Sequence, residues 1–419
     1  MGSISVSEGN ISLPGYIKNI NITNYSYDLP DEKIAQYPVK ERDRSRLLIS
    51  EGGNIKETEF SRLADFIPSG HLMVFNNSRV VRARILFQKE TGAMIEIFCL
   101  EPVEPADYER IFGSNIPVLW KCIVGNLKKW KGEILKKELH HNGKVYLLTA
   151  EKLKNNGDSC EVRFSWNNSS ITFSEVLEEA GHIPLPPYIN RTDNDEDIKR
   201  YQTVYATVRG SVAAPTAGLH FTEKVLSGLA GKNIVTCELT LHVGAGTFKP
   251  VKKQKILNHE MHGEHVIISR ETIIKIRSMT DKIVAVGTTS ARSLESLYWT
   301  GIKILQGKLN YPEDETLDQW EAYSLENSTC TARESIDAVL GYMQDNRMEN
   351  IRIFTRLLIV PGYKFRLVNG LITNFHQPGS TLLLLVAAFC GEKWREIYNY
   401  ALTNNFRFLS YGDSTLMFK

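Results

Sequence analysis

The stretch KIVAVGTTSARSLESLYWTG, residues 282–301, decides the reading of the fold. Residues 282–287 are a short apolar run of the kind found in a strand buried on both faces. Residues 290–300 carry helical spacing, with Gly301 expected to end the helix. A buried strand, a glycine, a hydroxyl cluster and then a helix make one unit of an α/β layer. The same alternation extends outward. Thr172 with Glu175 three residues on is a capping box whose helix stops at Gly181. Thr222 caps a helix that stops near Gly231, residues 234–243 read as a strand, and Ser269 caps a helix over 271–279. Further on, 331–346 is helical, 351–360 and 371–375 are strands, and helices follow over 380–389 and 392–404. Residues 47–49 and 72–75 add buried strands, and 305–330 is polar and irregular.

Residues 80–165 differ in character. Short β-rich runs at 80–87, 94–100, 120–124, 144–149 and 160–164 are separated by Gly, Asn and Lys turns, the pattern of a small barrel or sandwich. The expected fold class is therefore α/β, a layered α/β main domain with an inserted small β-barrel domain. The boundaries read from the sequence are a loosely held N-terminal extension at 1–24, an α/β catalytic domain at 25–79 and 168–419, and the inserted barrel at 80–167, where an RNA contact is expected.

Of the 419 residues, 42% are hydrophobic and 23% charged, which excludes a disordered chain, a collagen and a small disulfide scaffold. Fifty Lys and Arg against 48 Asp and Glu leave a net charge of +2, so global charge selects no partner. None of the six cysteines lies in a C-x-x-C pair, which argues for buried free thiols rather than a zinc knuckle or a redox dithiol. The first 24 residues hold no apolar run behind a basic start, and the longest apolar run, LLLLVAAFC at 382–390, is too short to span a bilayer. A cytoplasmic protein with no membrane partner, acting as a monomer, is expected.

Local charge is more informative. Between Trp120 and Lys154 nine lysines face three glutamates, a local charge of +6, with Trp120 and Trp130 interleaved. Lysines neutralise phosphates and aromatic rings stack on bases, so RNA binding competes here with a plain solvated face. Two further basic sets are Arg42, Arg44 and Arg46, and Arg79, Arg82 and Arg84.

Several motifs present groups able to do chemistry. NHEMHGEHV, residues 258–266, puts His259, Glu260, His262, Glu264 and His265 in seven positions. A metalloprotease helix needs His at i and i+4, and i+4 from His259 is Gly263, so that template fails. Spacing of three still places His259, His262 and His265 on one face if the segment is helical, which keeps a metal-dependent hydrolase as an alternative. SVAAPTAGLHFT, residues 211–222, is a small-residue loop before a helix that presents Thr216 and His220. LHVGAGTF, residues 241–248, puts two glycines after a strand, and ITNFHQPG, residues 372–379, ends a strand with Asn374 and His376, where α/β sheets bind ligands.

Taken together, the motifs resemble one family. YDLPDEKIAQYPVKERDRSRLL (27–48), FNNSRVVRARI (75–85), GHIPLPPYINR (181–191), RYQTVYATVRGSVAAPTAGLHFT (200–222), LTLHVGAGTFKPV (239–251), HEMHGE (259–264), VAVGTTSARSLES (284–296), VPGYKFRLVNGLITNFHQPGSTLLLLVAAFCG (360–391) and FRFLSYGDSTLMF (406–418) look like S-adenosylmethionine:tRNA ribosyltransferase-isomerase, in the family's order. The resemblance implies a queuosine-pathway enzyme. Such an enzyme moves the ribosyl group of S-adenosylmethionine onto 7-aminomethyl-7-deazaguanine at the tRNA wobble position, giving epoxyqueuosine-tRNA, adenine and methionine. S-adenosylmethionine is then a co-substrate, and no resident cofactor or metal is implied. The implied acid/base groups are His220, His262 and Glu260. Thr216, His242, Thr289, Arg292, Asn374 and His376 are expected to contact ligand, and Arg42, Asp43, Arg46, Asn76 and Arg79 to hold RNA or the nucleobase. For this last set an internal ion-pair network is the competing reading. Arg82 departs from the pattern, standing where the family usually has proline, and Val124-Gly125 replaces its Arg-Pro. A repurposed RNA-binding relative without turnover is the remaining alternative.

Overall fold

The computed structural model describes residues 13–157, 159–244, 254–309, 316–326 and 328–419. The chain divides into two compact units, one made of Met1–Asn76, Thr216–Leu241 and Pro250–Lys419, the other of Asn77–Pro215 and His242–Lys249.

The first unit is built on a ten-stranded sheet. Its order is Thr316–Leu317, Asn350–Thr355, Glu264–Ser269, Val235–His242, Leu72–Asn76, Ile283–Val286, Val368–Asn374, Ser414–Phe418, Arg46–Glu51 and Asn54–Glu59. The four strands from Val235–His242 to Val368–Asn374 run parallel, so their carboxyl ends share one edge. Successive residues of a strand face opposite sides. All four of Ile283–Val286 are buried, so both faces of the sheet are covered there, which is why this run shows no alternation. Val368–Asn374 pairs antiparallel with Ser414–Phe418, which lies parallel to Arg46–Glu51, so segments from opposite ends of the chain meet in one sheet.

Most of the expected helices form where their caps place them. Thr172, Thr222, Ser269, Thr331 and Ser380 each accept a hydrogen bond from the first turn of the helix that follows. The helix expected to end at Gly301 instead runs Thr288–Leu305. Gly301 lies inside it because a β-carbon there would sit 2.2 Å from the Ser335 carbonyl oxygen of the helix Ala332–Asp345. This glycine permits a close helix crossing, tied by the Ser335 hydroxyl donating to the Tyr298 carbonyl at 2.6 Å. The same long helix buries Glu295, whose carboxylate accepts the backbone N–H groups of Arg366, Leu367 and Val368 and the hydroxyl of Tyr363. Desolvation still raises its pKa.

The N-terminal extension is a second correction. Residues 1–12 lie outside the described residues, but Ile17, Ile20 and Ile22 are buried, and the Ile22 N–H donates to the Gln254 carbonyl. This part is packed rather than loosely held, because its isoleucines have a core to enter. No described helix is long and apolar enough to cross a membrane.

The second unit carries a seven-stranded antiparallel sheet, ordered Gly181–His182, Arg84–Gln88, Met94–Glu104, Val118–Gly125, Cys160–Trp166, Lys144–Asn155 and Leu135–His141. Leu135–His141 is not evident in the sequence because polar residues fill five of its seven positions (LKKELHH). The Lys137 ammonium donates to the Leu86 carbonyl at 3.1 Å, reaching from this last strand to Arg84–Gln88 near the other end of the sheet. Trp120 and Trp130 are each 2% exposed and belong to the core of this unit, so neither is available to stack on a base. Of the nine lysines, Lys128, Lys129, Lys131, Lys136, Lys144 and Lys154 are exposed. All six cysteines are free, and Cys99, Cys122, Cys160 and Cys237 are buried.

Gly301→Ala should force the two helices apart. Overpacking of this kind costs about 1–3 kcal/mol, read as a lower urea midpoint with unchanged slope. An unshifted midpoint would mean the crossing is loose.

Candidate active site at the carboxyl edge of the main sheet

The parallel strands deliver polar groups to their shared carboxyl edge. Asn76 ends one strand and is used structurally: its amide donates to the Leu241 carbonyl at 3.1 Å and accepts from the Leu241 N–H at 3.0 Å, closing the gap to the next strand. Ile283–Val286 is followed by Gly287 at φ 90°, a conformation that favours glycine, and then by the helix Thr288–Leu305. No side chain caps that helix. The hydroxyls of Thr289 and Ser290 in its first turn are buried with no hydrogen-bond partner among the described residues. Unmet donors at a helix start suit an anionic group.

His220 closes a short 3-10 turn, Thr216–His220, and is buried. Its Nδ1 lies 2.7 Å from Ser45 Oγ, and its Nε2 3.1 Å from Asn374 Nδ2. The Asn374 amide also reaches the Asp413 carbonyl at 3.4 Å, which only its nitrogen can do, so that nitrogen faces the ring and donates to Nε2. Nδ1 then carries the proton and donates to Ser45, whose hydroxyl donates onward to the Arg42 carbonyl at 3.1 Å. The ring packs against Phe60 with centroids 5.1 Å apart. Burial, helped by the charges of Arg407 and Arg42, pushes its pKa down to about 3, so the imidazole is neutral at working pH. Asp413 frames this network by accepting the backbone N–H groups of Arg46 and Arg407 at 2.9 and 2.8 Å. Desolvation raises its pKa, against the pull of those donors and of the two arginines.

A second cluster lies in the same unit. Glu264, fully buried at the start of its strand, forms an ion pair with Arg292, which stands in the second turn of the Thr288–Leu305 helix. His262 Nε2 lies 3.4 Å from the same carboxylate. Burial lowers the Arg292 pKa to about 10, which leaves it charged at neutral pH. The segment 259–263 is not a helix, so His259, His262 and His265 share no helical face. His265 packs on Phe354 instead, and no group of three or more His, Cys, Asp or Glu among the described residues could hold a metal. Gln319 pins this segment by donating to the His259 carbonyl at 2.7 Å and accepting from the Met261 N–H at 2.8 Å.

The other expected residues divide clearly. Asp43 is buried and accepts the Thr222 hydroxyl at 3.0 Å, and Arg46 is engaged by the Asn404 carbonyl, Glu57 and the Phe406 ring, so both serve the internal network. Arg42 contributes a carbonyl and a charge beside His220. His376 is buried, with Nε2 2.8 Å from Thr373 Oγ1 and its backbone N–H donating to Tyr398. Thr216 is half-buried at the head of the His220 turn, and Glu260 is exposed. Arg79 and His242 belong to the second unit, where His242 stacks on Tyr108 at 4.6 Å. Residues 245–248 of LHVGAGTF lie outside the described residues. Ser45, Glu264, Gln319 and Asp413 are the residues that sequence reasoning missed as site members. Glu264 was visible only as part of the His-rich motif, Ser45 and Asp413 lay inside family-like motifs without marking themselves as site members, and Gln319 had no local signal.

The chain belongs to the queuosine biosynthesis protein family, whose description matches residues 22–417. It is 35% identical over 401 residues to a Magnetococcus marinus protein named S-adenosylmethionine:tRNA ribosyltransferase-isomerase, covering 95% of this chain and 94% of that one. A crystal structure of S-adenosylmethionine tRNA ribosyltransferase from Thermotoga maritima is 27% identical, with a TM-score of 0.44 over 94% of this chain and 99% of that one.

His220 and His376 both have pKa values pushed by burial to about 3 in the folded state, against 6.5 for a free imidazole. The unfolded chain therefore takes up protons near pH 6.5 that the folded chain refuses until about pH 3. Stability contributed by these groups is complete above that upper value and is lost as pH falls between the two. Urea midpoints should fall steadily from pH 7 to pH 4, and less steeply in His220→Asn. Equal slopes in both proteins would show that His220 titrates normally.

Proposed function

We propose that this chain transfers and isomerises the ribosyl moiety of S-adenosylmethionine onto 7-aminomethyl-7-deazaguanine at the wobble position of tRNA, giving epoxyqueuosine-tRNA, adenine and methionine. The observation that carries the reading is a buried neutral imidazole, fixed by Ser45 and Asn374, at the carboxyl edge of the sheet in a chain of this family. The sulfonium acidifies the adjacent 5′-carbon, and a neutral ring nitrogen with its lone pair available can take that proton once Asn374 yields. The attacking aminomethyl group must be uncharged, which desolvation favours. Adenine leaves more easily when protonated. His262 and Glu260 are the candidate donors, and His262 is supported by its place beside the buried Glu264–Arg292 pair.

Thr289, Arg292 and the uncapped helix start fit the carboxylate of the methionine portion, with Thr216, Asn374 and His376 as further ligand contacts. In this reading S-adenosylmethionine is a co-substrate and no resident cofactor takes part. The α/β catalytic domain spans 25–79 and 168–419, and the β-rich block at 80–167 is a small barrel that meets the tRNA through its exposed lysines. The antiparallel order of its strands and the reach of Lys137 to Leu86 support a barrel. The protein works as a monomer in the cytoplasm.

The test is purified chain with S-adenosylmethionine and tRNA bearing the deazaguanine precursor, scored by adenine release. Release that depends on this tRNA is expected. Tight tRNA binding without adenine would favour an RNA-binding role instead. His220→Asn should lower turnover by about 10²–10⁴-fold while the protein still melts cooperatively. Unaltered turnover would remove His220 from the chemistry.

A further inference from the structure

Within the second unit, Ser78–Val80 and Val208–Ser211 form a parallel ladder whose register sets Arg79 against Arg209. Like charges opposite one another across a ladder repel, and such a pairing calls for a compensating anion. Glu178 supplies part of it, lying 2.8 Å from Arg209, and the Ser174 hydroxyl accepts from the same guanidinium at 2.7 Å. Arg82 donates to the backbone carbonyl of Glu178 at 2.6 Å, which brings a third guanidinium to the same wall without a second carboxylate. Arg79 is exposed and has no side-chain hydrogen bond or ion pair among the described residues.

These three arginines line one cavity of about 300 Å³. Its remaining wall is largely apolar, including Leu177, Ile183 and Ile198. Gln202, which also lines it, accepts the Val80 N–H at 3.0 Å and donates to the Val80 carbonyl at 2.7 Å, fixing the backbone of this wall. Three guanidinium groups against one carboxylate leave an excess of two positive charges in a preformed, half-apolar recess. Guanidinium forks match phosphate oxygens, and an apolar wall beside them suits a sugar edge or base face.

We propose that this cavity is a phosphate-binding subsite that takes one nucleotide of the tRNA substrate. The phosphodiester would lie on Arg79, Arg82 and Arg209, and the nucleoside on the apolar wall. The inference rests on the tRNA reading above; it joins Arg79, expected from the sequence to meet RNA, to Arg82, Arg209 and the recess they line. A free phosphate or mononucleotide offers the same chemistry from a different source.

Fluorescence anisotropy with the tRNA anticodon stem-loop, titrated across KCl concentrations, tests it. Arg79→Gln with Arg82→Gln should weaken stem-loop binding about tenfold near 0.15 M salt. The plot of log affinity against log salt should flatten by about 0.7 for each phosphate no longer neutralised. The KM for S-adenosylmethionine should stay within about twofold of the unaltered chain, which separates weaker RNA binding from general damage. Unchanged stem-loop affinity and salt slope in the double variant would overturn this inference alone. No stem-loop binding by the unaltered chain would overturn it together with the tRNA reading. Inorganic phosphate or AMP binding that the double variant abolishes, with stem-loop affinity unchanged, would assign the cavity to a free phosphate and overturn the RNA assignment.

Discussion

A neutral imidazole buried away from water needs a partner at each ring nitrogen, since an unmet buried polar group costs about 1–3 kcal/mol. The main sheet supplies both partners for His220. Ser45 precedes the strand Arg46–Glu51, and Asn374 ends Val368–Asn374. These strands are joined through Ser414–Phe418, which pairs with each of them. Residues some 330 positions apart in sequence are thus brought to one ring by a strand at the end of the chain. Asp413, just before that strand, holds the backbone of Arg46 and Arg407 and so sets the spacing of the edge.

The buried carboxylates Glu295 and Glu264 are each held by partners. Glu295 is satisfied by three backbone donors and one hydroxyl, and it fixes the segment that leads into Val368–Asn374. Glu264 is matched by Arg292 and approached by His262. Removing one member of such a pair leaves an uncompensated charge, which costs far more than the intact pair contributes. Glu295 therefore acts on the site through the backbone that delivers Asn374, whereas the Glu264–Arg292 pair stands among the groups able to meet a ligand.

Much of the α/β layer was legible because its signals are local. Capping residues and short buried runs such as IVAV work over a few positions, and the three expected caps, Thr172, Thr222 and Ser269, all form. The helix end expected at Gly301 failed because the close approach of another helix is invisible in sequence. The strand Leu135–His141 escaped notice because its polar residues mask the period of two. Trp120 and Trp130 read as an RNA-stacking pair and prove to be core, since lysines exposed along a segment say nothing about the neighbouring residue that points inward. At the site, His220 and Asn374 were legible as polar groups in a small-residue loop and at a strand end, and Arg292 only through the family resemblance. Ser45 and Asp413 were not, because only the sheet order brings them near.

The tautomer and charge of one ring follow directly from this arrangement. Long-range nitrogen–proton NMR on histidine-labelled protein reads both. The expected result is a neutral His220 with its proton on Nδ1 and an unprotonated Nε2, unchanged from pH 8 to pH 5. A ring protonated on Nε2, or one that becomes doubly protonated in that range, would contradict the account.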